Sequence, residues 1–247
     1  MADTTTIEWT DHTWNPWYGC KKISPGCKYC YMYRDQTRYG MDPTNVSRSK
    51  TKFNEPKKWK EPGLVFTCSW SDFFIDEADQ WRDEAWQIIK DTPHLTYQIL
   101  TKRPEDVLQR LPADWGTGYP NVWLGVSVES QHEDWRIFEL MDIPAALRFV
   151  SFEPLIGPVK WNPEWNIDWI IIGGETGNEE GPYRYRPAEI DWFVELINGA
   201  ILYDVAIFVK QLGTHLAKQF DMEDTKGLSG HDFLMLRDFP DTTTTRT

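Results

Sequence analysis

No apolar run in this sequence of 247 residues approaches the roughly 18 that a membrane-spanning helix needs. The opening stretch MADTTTIEWTD carries neither the basic nor the apolar segment of a secretory signal. A cytoplasmic location and no membrane partner are therefore expected. Cysteine is nearly missing, at four residues. In a reducing compartment so few thiols exclude a disulfide framework, and any cluster of them reads as metal ligands or redox groups. Positive charge is in deficit too, with 26 Lys and Arg against 38 Asp and Glu, a net charge of −12. That balance argues against a broad basic face gripping duplex nucleic acid over an extended length. The locally basic segment Ser47–Lys60 reads as a solvated loop. Sequence repeats and interdomain linkers are absent as well, which predicts one domain.

What is present is a recurring unit of short apolar run, polar loop and amphipathic helix. Strands are expected in TIEWTDHTW, GLVFTCSW, LTYQIL, NVWLGVSV, LRFVSF, IDWIIIGG and DVAIFVKQL. Helices are expected in DEADQWRDEAWQIIKD, RPEDVLQRL, HEDWRIFELM and PAEIDWFVELINGAIL. In the first of these, Ala78, Trp81, Ala85, Ile88 and Ile89 recur at helical spacing. Strand–helix alternation predicts an α/β fold with parallel pairing. Apolar runs that are continuous rather than alternating predict a sheet covered on both faces or closed into a barrel. The pattern spans 1–219. Beyond about Phe220 it dissolves, so 220–247 reads as a C-terminal extension with a disordered, threonine-rich end. Most of the fourteen tryptophans are expected in the core.

In parallel α/β folds, ligands gather at the carboxyl ends of the strands. Those ends carry Cys68, Ser69, Ser71 and Asp72, then Thr101, Lys102 and Arg103, then Ser127 and Glu129. Ser151 and Glu153, then Gly173, Gly174 and Glu175, then Lys210 and Gln211 complete the series. Carboxylates placed in a closing cleft need a ligand or a cation to satisfy them. Two readings follow: a functional cleft, or an internal ion-pair network in which Lys102, Arg103 and Lys210 neutralise the acids.

The first strand runs into DHTWNPWYGCKKISPGCKYCYMY, which holds Cys20, Cys27 and Cys30 in a Cys-x6-Cys-x2-Cys array. Three thiolates on one loop suit three irons of a [4Fe–4S] cluster with the fourth iron open. They also suit part of a zinc site, which would take a fourth ligand from Cys68 or His12. Gly19 and Pro25–Gly26 supply turns, while Tyr29 and Tyr31 stand ready to shield a bound group. Trp14, Trp17 and Tyr31 are placed either to stack a planar ligand or to pack around the loop.

A first strand, a three-cysteine loop ending in CKYCYM and successive βα units resemble the radical S-adenosylmethionine (SAM) superfamily, which commonly spaces its thiols Cys-x3-Cys-x2-Cys. The set WNPWYGCKKISPGCKYCY, LTKRPE, GVSVES, SFEPL and IIGGETG looks more closely like an uncharacterised phage and bacterial family known for its three-cysteine motif.

The resemblance implies a partial, open TIM-like barrel of about six or seven parallel strands. It implies an enzyme in which a [4Fe–4S] cluster on Cys20, Cys27 and Cys30 reductively cleaves SAM to a 5′-deoxyadenosyl radical that abstracts hydrogen from a substrate. Ser69, Ser71 and Asp72 would hold the SAM amine, and Ser127 and Glu129 the ribose. Glu153, Gly173, Gly174 and Glu175 would complete the cofactor site, with Lys102, Arg103 and Lys210 toward the substrate. A flavodoxin- or ferredoxin-type reductant would supply electrons. A small molecule or a nucleotide, such as a modified nucleobase of phage DNA in the host cytoplasm, would be the substrate. The competing class is a non-enzymatic, zinc- or cluster-bearing partner or nucleic-acid-associated protein. A dithiol redox protein built on Cys27 and Cys30 leaves Cys20 without a role.

Overall fold

The computed structural model describes residues 5–222 and 236–242. At its centre lies one sheet of seven parallel strands. These are β1 (His12–Trp14), β2 (Gly63–Thr67), β3 (Leu95–Thr101), β4 (Val122–Ser127), β5 (Leu147–Leu155), β6 (Trp169–Gly174) and β7 (Ala206–Gln211). Spatial order follows chain order from β1 to β7. Each crossover therefore steps in the same direction, as in a βα barrel, without the reversal that makes a doubly wound sheet. Among the described residues β1 and β7 do not pair with each other. The curled sheet stays open as a half-barrel, as the resemblance implied.

Helices α1 (Tyr31–Arg38), α2 (Asp79–Asp91), α3 (Trp135–Met141), α4 (Ile190–Leu202) and α5 (Gly213–Gln219) follow β1, β2, β4, β6 and β7 respectively. The buried stripe of α2, Ala85, Trp86, Ile88 and Ile89, and that of α4, Phe193, Leu196, Ile197 and Ala200, pack on the outer face of the sheet. Outward-facing strand residues such as Val65, Ile99, Val126, Ile170 and Val209 complete that core. The alternate residues face inward, because successive side chains on a strand point to opposite sides. There Phe66, Trp123, Phe149, Trp169 and Phe208 join Trp9 in a second, smaller core at the foot of the concave face. Apolar groups on both faces explain why the strands read as continuous runs. One rung higher the inward series turns polar, through Ser127, Ser151, Glu153 and Lys210, and opens the space for a ligand.

The floor is tightly fitted. Gly125 on β4 faces Phe149 on β5 in register, and a Cβ on Gly125 would stand 2.5 Å from the Phe149 ring. Gly125→Ala is expected to destabilise the fold by about 1–3 kcal/mol, the usual penalty of overpacking, read as a lower urea midpoint with an unchanged slope.

Three expectations are corrected. RPEDVLQRL forms two short 3₁₀ turns, Pro104–Asp106 and Leu108–Arg110, rather than a helix. Leu108 is exposed, and Arg110 is drawn back onto Asp76, Asp79 and Asp106, so no apolar stripe exists to dock a helix. Of TIEWTDHTW only His12–Trp14 pairs with the sheet, because Trp9 turns inward to the concave core. The C-terminal extension is not separate throughout. Val209 N–H donates to the Leu236 carbonyl (2.9 Å) and Asp238 N–H to the Ile207 carbonyl (2.8 Å), an antiparallel bridge on the β7 edge. Trp169 Nε1 donates to the Asp238 carbonyl. A bridge this short has no periodicity to read. The threonine-rich end, 243–247, lies outside the described residues. Among the described residues no helix is long and apolar enough to cross a membrane.

Candidate functional site

The loop leaving β1 is held to the strand ends by its backbone. Gly19 adopts φ +87° and lies so close to the Asn45 carbonyl that any Cβ would collide. Its carbonyl accepts from Ser71 Oγ (2.6 Å). Trp17 Nε1 donates to the Asp72 carbonyl (3.1 Å), and Tyr31 Oη to the Ser69 carbonyl (2.7 Å). The turn Pro25–Cys27 is 3₁₀, and Cys30 caps α1, so Cys27 and Cys30 sit at the two ends of one short turn.

The six residues between Cys20 and Cys27 are used as anchors. The Lys21 carbonyl accepts from Arg103 Nη2 (2.9 Å), Ser24 Oγ donates to Glu129 Oε1 (2.8 Å), and the Pro25 carbonyl accepts from Arg186 Nη1 (2.8 Å). Gly26 lies flat on the Glu129 carboxylate, where a Cβ would overlap it. This accounts physically for an interval longer than three: the additional residues reach the β4 end and the loop after β6.

Cys20, Cys27 and Cys30 line one cavity of about 590 Å³, together with Cys68. That volume suits a cofactor- or drug-sized ligand. Burial pushes the Cys20 thiol up to about 12; the Asp72 charge raises it further and Arg103 opposes the rise. Burial likewise raises Cys30. Such thiols stay protonated unless a cation displaces the proton, so any metal bound here would release protons. A folded pKa above the unfolded 9.0 means the stabilising contribution is whole below pH 9 and is lost as pH rises toward 12. The metal-free protein should therefore lose urea resistance between pH 8 and 10.5, and Cys20→Ser should lose less across the same interval.

Among the described residues no group of three or more His, Cys, Asp or Glu side chains is disposed to hold a metal ion. One zinc ion needs its donors about 2.3 Å from a single centre. An iron–sulfur cubane puts each thiolate on a different iron, so its donors stand farther apart. Cys20, Cys27 and Cys30 are unbridged and line one cavity. His12 is remote from it, stacked on Trp59 with ring centroids 4.3 Å apart, and is not among the cavity residues. Trp14 and Trp17 belong to the outer-face core.

The strand-end residues divide sharply. Asp72 is saturated: it accepts from Thr101 Oγ1 (2.7 Å), Phe74 N–H (3.0 Å), Lys102 N–H (3.0 Å) and Arg103 Nη1 (3.0 Å). Ser69 Oγ accepts from Asn15 Nδ2 (2.9 Å), and Ser71 holds the loop. Glu129 is fully buried and does not line the cavity. It pairs with Arg136 (2.8 Å) and Lys102 (2.5 Å). Burial would raise its carboxyl, but Lys102 and Arg136 outweigh that and hold it below the usual range.

Glu175 is gripped by Arg186, whose Nε donates to Oε2 at 2.8 Å. Gly173 lies under Glu153, where a Cβ would come within 2.6 Å of its Cγ, and is not a cavity residue; Gly174 is one. Glu175, Glu153 and Lys210 all line the cavity, and the last two pair at 2.7 Å. Ser127 lines it beside Ser151, its partner in register. Glu129, expected at the ribose, stands behind Gly26 and fastens the loop through Ser24. Arg136, Arg186 and Ser24, which complete that fastening, were missed from sequence. Arg136 was hidden in an amphipathic helix, Arg186 in a polar loop, and Ser24 stands 105 residues from its partner.

A parallel half-barrel whose strand ends are roofed by a thiol-bearing loop over a polar cavity defines the class: an α/β half-barrel protein with a cysteine-lined cavity. The chain belongs to the family described as "Protein of unknown function (DUF5131)", whose model matches residues 4–235. Comparisons with curated proteins and with solved structures return no match.

Proposed function

We propose that this chain is a radical SAM enzyme. The observation that carries the reading is the set of three unbridged thiols, Cys20, Cys27 and Cys30, facing one cavity at the carboxyl ends of a parallel half-barrel. These thiols would hold a [4Fe–4S] cluster, leaving one iron for the amino and carboxylate groups of SAM. When bound and reduced, that cluster supplies the electron that splits SAM into methionine and a 5′-deoxyadenosyl radical.

The chain supplies orientation and exclusion of water. Arg103, lying against the Lys21 carbonyl and charged toward Cys20, offsets the negative charge of thiolate ligands. Glu153 and Lys210 offer hydrogen bonds along the cavity wall, which Tyr31 also lines. Asp72, Glu129 and Glu175 hold the loop rigid over the strand ends. Electrons would come from a flavodoxin- or ferredoxin-type protein.

The deciding experiment is anaerobic reconstitution with iron and sulfide, then chromatography for 5′-deoxyadenosine after adding SAM and dithionite. About four irons per chain with deoxyadenosine formation is the expected result. Bound zinc and no deoxyadenosine, with a control enzyme active in the same buffer, would overturn it.

A further inference from the structure

The back of the thiol loop carries positive charge that the chain does not neutralise. Lys22 and Lys28 are exposed, and among the described residues neither meets a carboxylate. Lys22 Nζ donates to the Lys28 carbonyl (2.9 Å) and stands 4.4 Å from the centre of the Tyr33 ring. Lys28 Nζ lies 5.1 Å from the centre of the Tyr29 ring, and the Arg186 guanidinium 5.3 Å from that same centre. Three cations are thus gathered on one small area. Glu175, which Arg186 grips by both oxygens, is buried, and Glu129 is buried behind Gly26. The excess ends at Lys21 and Ile23. These border a recess whose four acids, Asp76, Glu77, Glu105 and Asp106, match its four cations, and Glu77 pairs with Lys21 itself.

This charge faces outward. Lys28 and Arg186 are not cavity residues, and Lys22 stands at the rim, exposed. The chain itself fixes how near the patch is to sulfur. Lys28 directly follows Cys27, and Lys22 is the second residue after Cys20; neighbouring Cα atoms are about 3.8 Å apart. A partner resting here is separated from the thiols by one layer of backbone. Cations already lie over the rings of Tyr29 and Tyr33, which argues against a stacking platform for nucleic-acid bases.

We infer that this outer face of the thiol loop, Lys22, Lys28 and Arg186 around Tyr29, is the docking surface for an acidic one-electron carrier protein of the flavodoxin or ferredoxin type. The partner's identity rests on the proposed function, which needs electrons delivered singly behind these thiols. An acidic carrier is repelled by most of a chain of net charge −12 and attracted where cations are uncompensated, so the patch sets both the place and the rate of encounter. One electron passes, oxidising the carrier by one step and reducing the cluster by one; no atom is transferred. Redox complexes are small and weak, burying less than about 1,200 Å², so a few free cations count for more than a large apolar face.

The first readout needs no cluster. The full metal-free chain is titrated calorimetrically at low ionic strength with a purified bacterial flavodoxin and, separately, a plant-type ferredoxin. At least one should bind, and its binding should fade as added salt shortens the screening length. The double variant Lys22→Glu, Lys28→Glu should bind it about tenfold more weakly. Lys58→Glu with Lys60→Glu makes the same charge change on either side of Trp59, which stacks on His12 at the start of β1, and should bind like wild type. A thermal melt confirms that each variant is folded. In the reconstituted chain the rate of cluster reduction by the carrier should fall by the same factor, while reduction by photoreduced deazariboflavin, a small uncharged donor, stays unchanged.

No binding by either carrier, unchanged affinity in Lys22→Glu, Lys28→Glu, or equal losses in the two double variants would overturn the assignment. A single-stranded oligonucleotide that binds more tightly than the carrier and displaces it would also overturn it, by giving the patch to nucleic acid. Failure to form deoxyadenosine with the deazaflavin donor would sink the proposed chemistry, and the binding result on the metal-free chain would stand apart from it.

Discussion

Replacing Cys30 by alanine is expected to remove cluster iron and 5′-deoxyadenosine formation while leaving the half-barrel folded. Cys30 stands at the N-cap of α1 and is one of the three thiols that would hold the proposed cluster, one per iron, so its loss would leave two irons without protein ligands. The fold does not depend on that thiol. The main core is built from α2, α3, α4 and the outward strand residues, and the loop is fastened through Arg103, Glu129, Arg186 and Tyr31 rather than through sulfur.

Iron content, the visible absorption of the reconstituted protein and deoxyadenosine should all drop to the level of protein that was never reconstituted. Far-UV circular dichroism and the urea midpoint of the metal-free protein should stay close to wild type. A structural zinc site would behave oppositely, because metal binding and folding are then one equilibrium. Unfolding of Cys30→Ala with deoxyadenosine formation retained in whatever folds would refute the catalytic reading.

The largest stability effect should come from a residue that touches no ligand. Glu129 is buried between Arg136 and Lys102, accepts from Ser24, and has Gly26 pressed onto its carboxylate. Truncation to alanine leaves two cations without their shared anion, opens a cavity and frees the cysteine loop at once. Breaking a buried pair from one side costs about 3–5 kcal/mol, which in a domain of this size lowers Tm by roughly 6–20 °C.

Glu129→Gln keeps the Ser24 hydrogen bond and should fall between alanine and wild type. Combining Glu129→Leu with Arg136→Met and Lys102→Met should recover much of the loss, since an apolar replacement of a whole buried ion group is often tolerated. The pH sign follows from the lowered carboxyl. The contribution is present above the unfolded value of 4.5 and is lost as pH falls through the lower folded value. Acid unfolding of wild type should therefore start below pH 4.5, and the Gln variant should lack that component. A Glu129→Ala protein that melts with wild type would show that the loop is held elsewhere.

The sequence by itself determined the elements and their pairing. Three of the helices and the seven strands of the main sheet follow from local patterns strong enough to survive packing: α2 and α4 keep their buried stripes, α3 falls in its expected run, every strand of that sheet overlaps an expected run, and α1 and α5 were not read from the sequence. Parallel order follows from alternation, and the thiol loop sits at the strand ends because it directly follows β1. What failed locally was RPEDVLQRL, where the charge partners of Arg110 lie up to 34 residues away, and the Leu236–Asp238 bridge, too short to carry a period.

Only the tertiary structure decided which polar strand ends are free along the cavity and which hold the chain together. The same residue type at equivalent positions, Glu129, Glu153 and Glu175, has different fates. Arg136 and Gly26 close over the first, Lys210 shares the cavity wall with the second, and Arg186 clamps the third. A carboxylate's availability depends on cations brought to it by folding, and at Glu129 and Glu175 those cations come from a helix and a loop that had no local reason to point there.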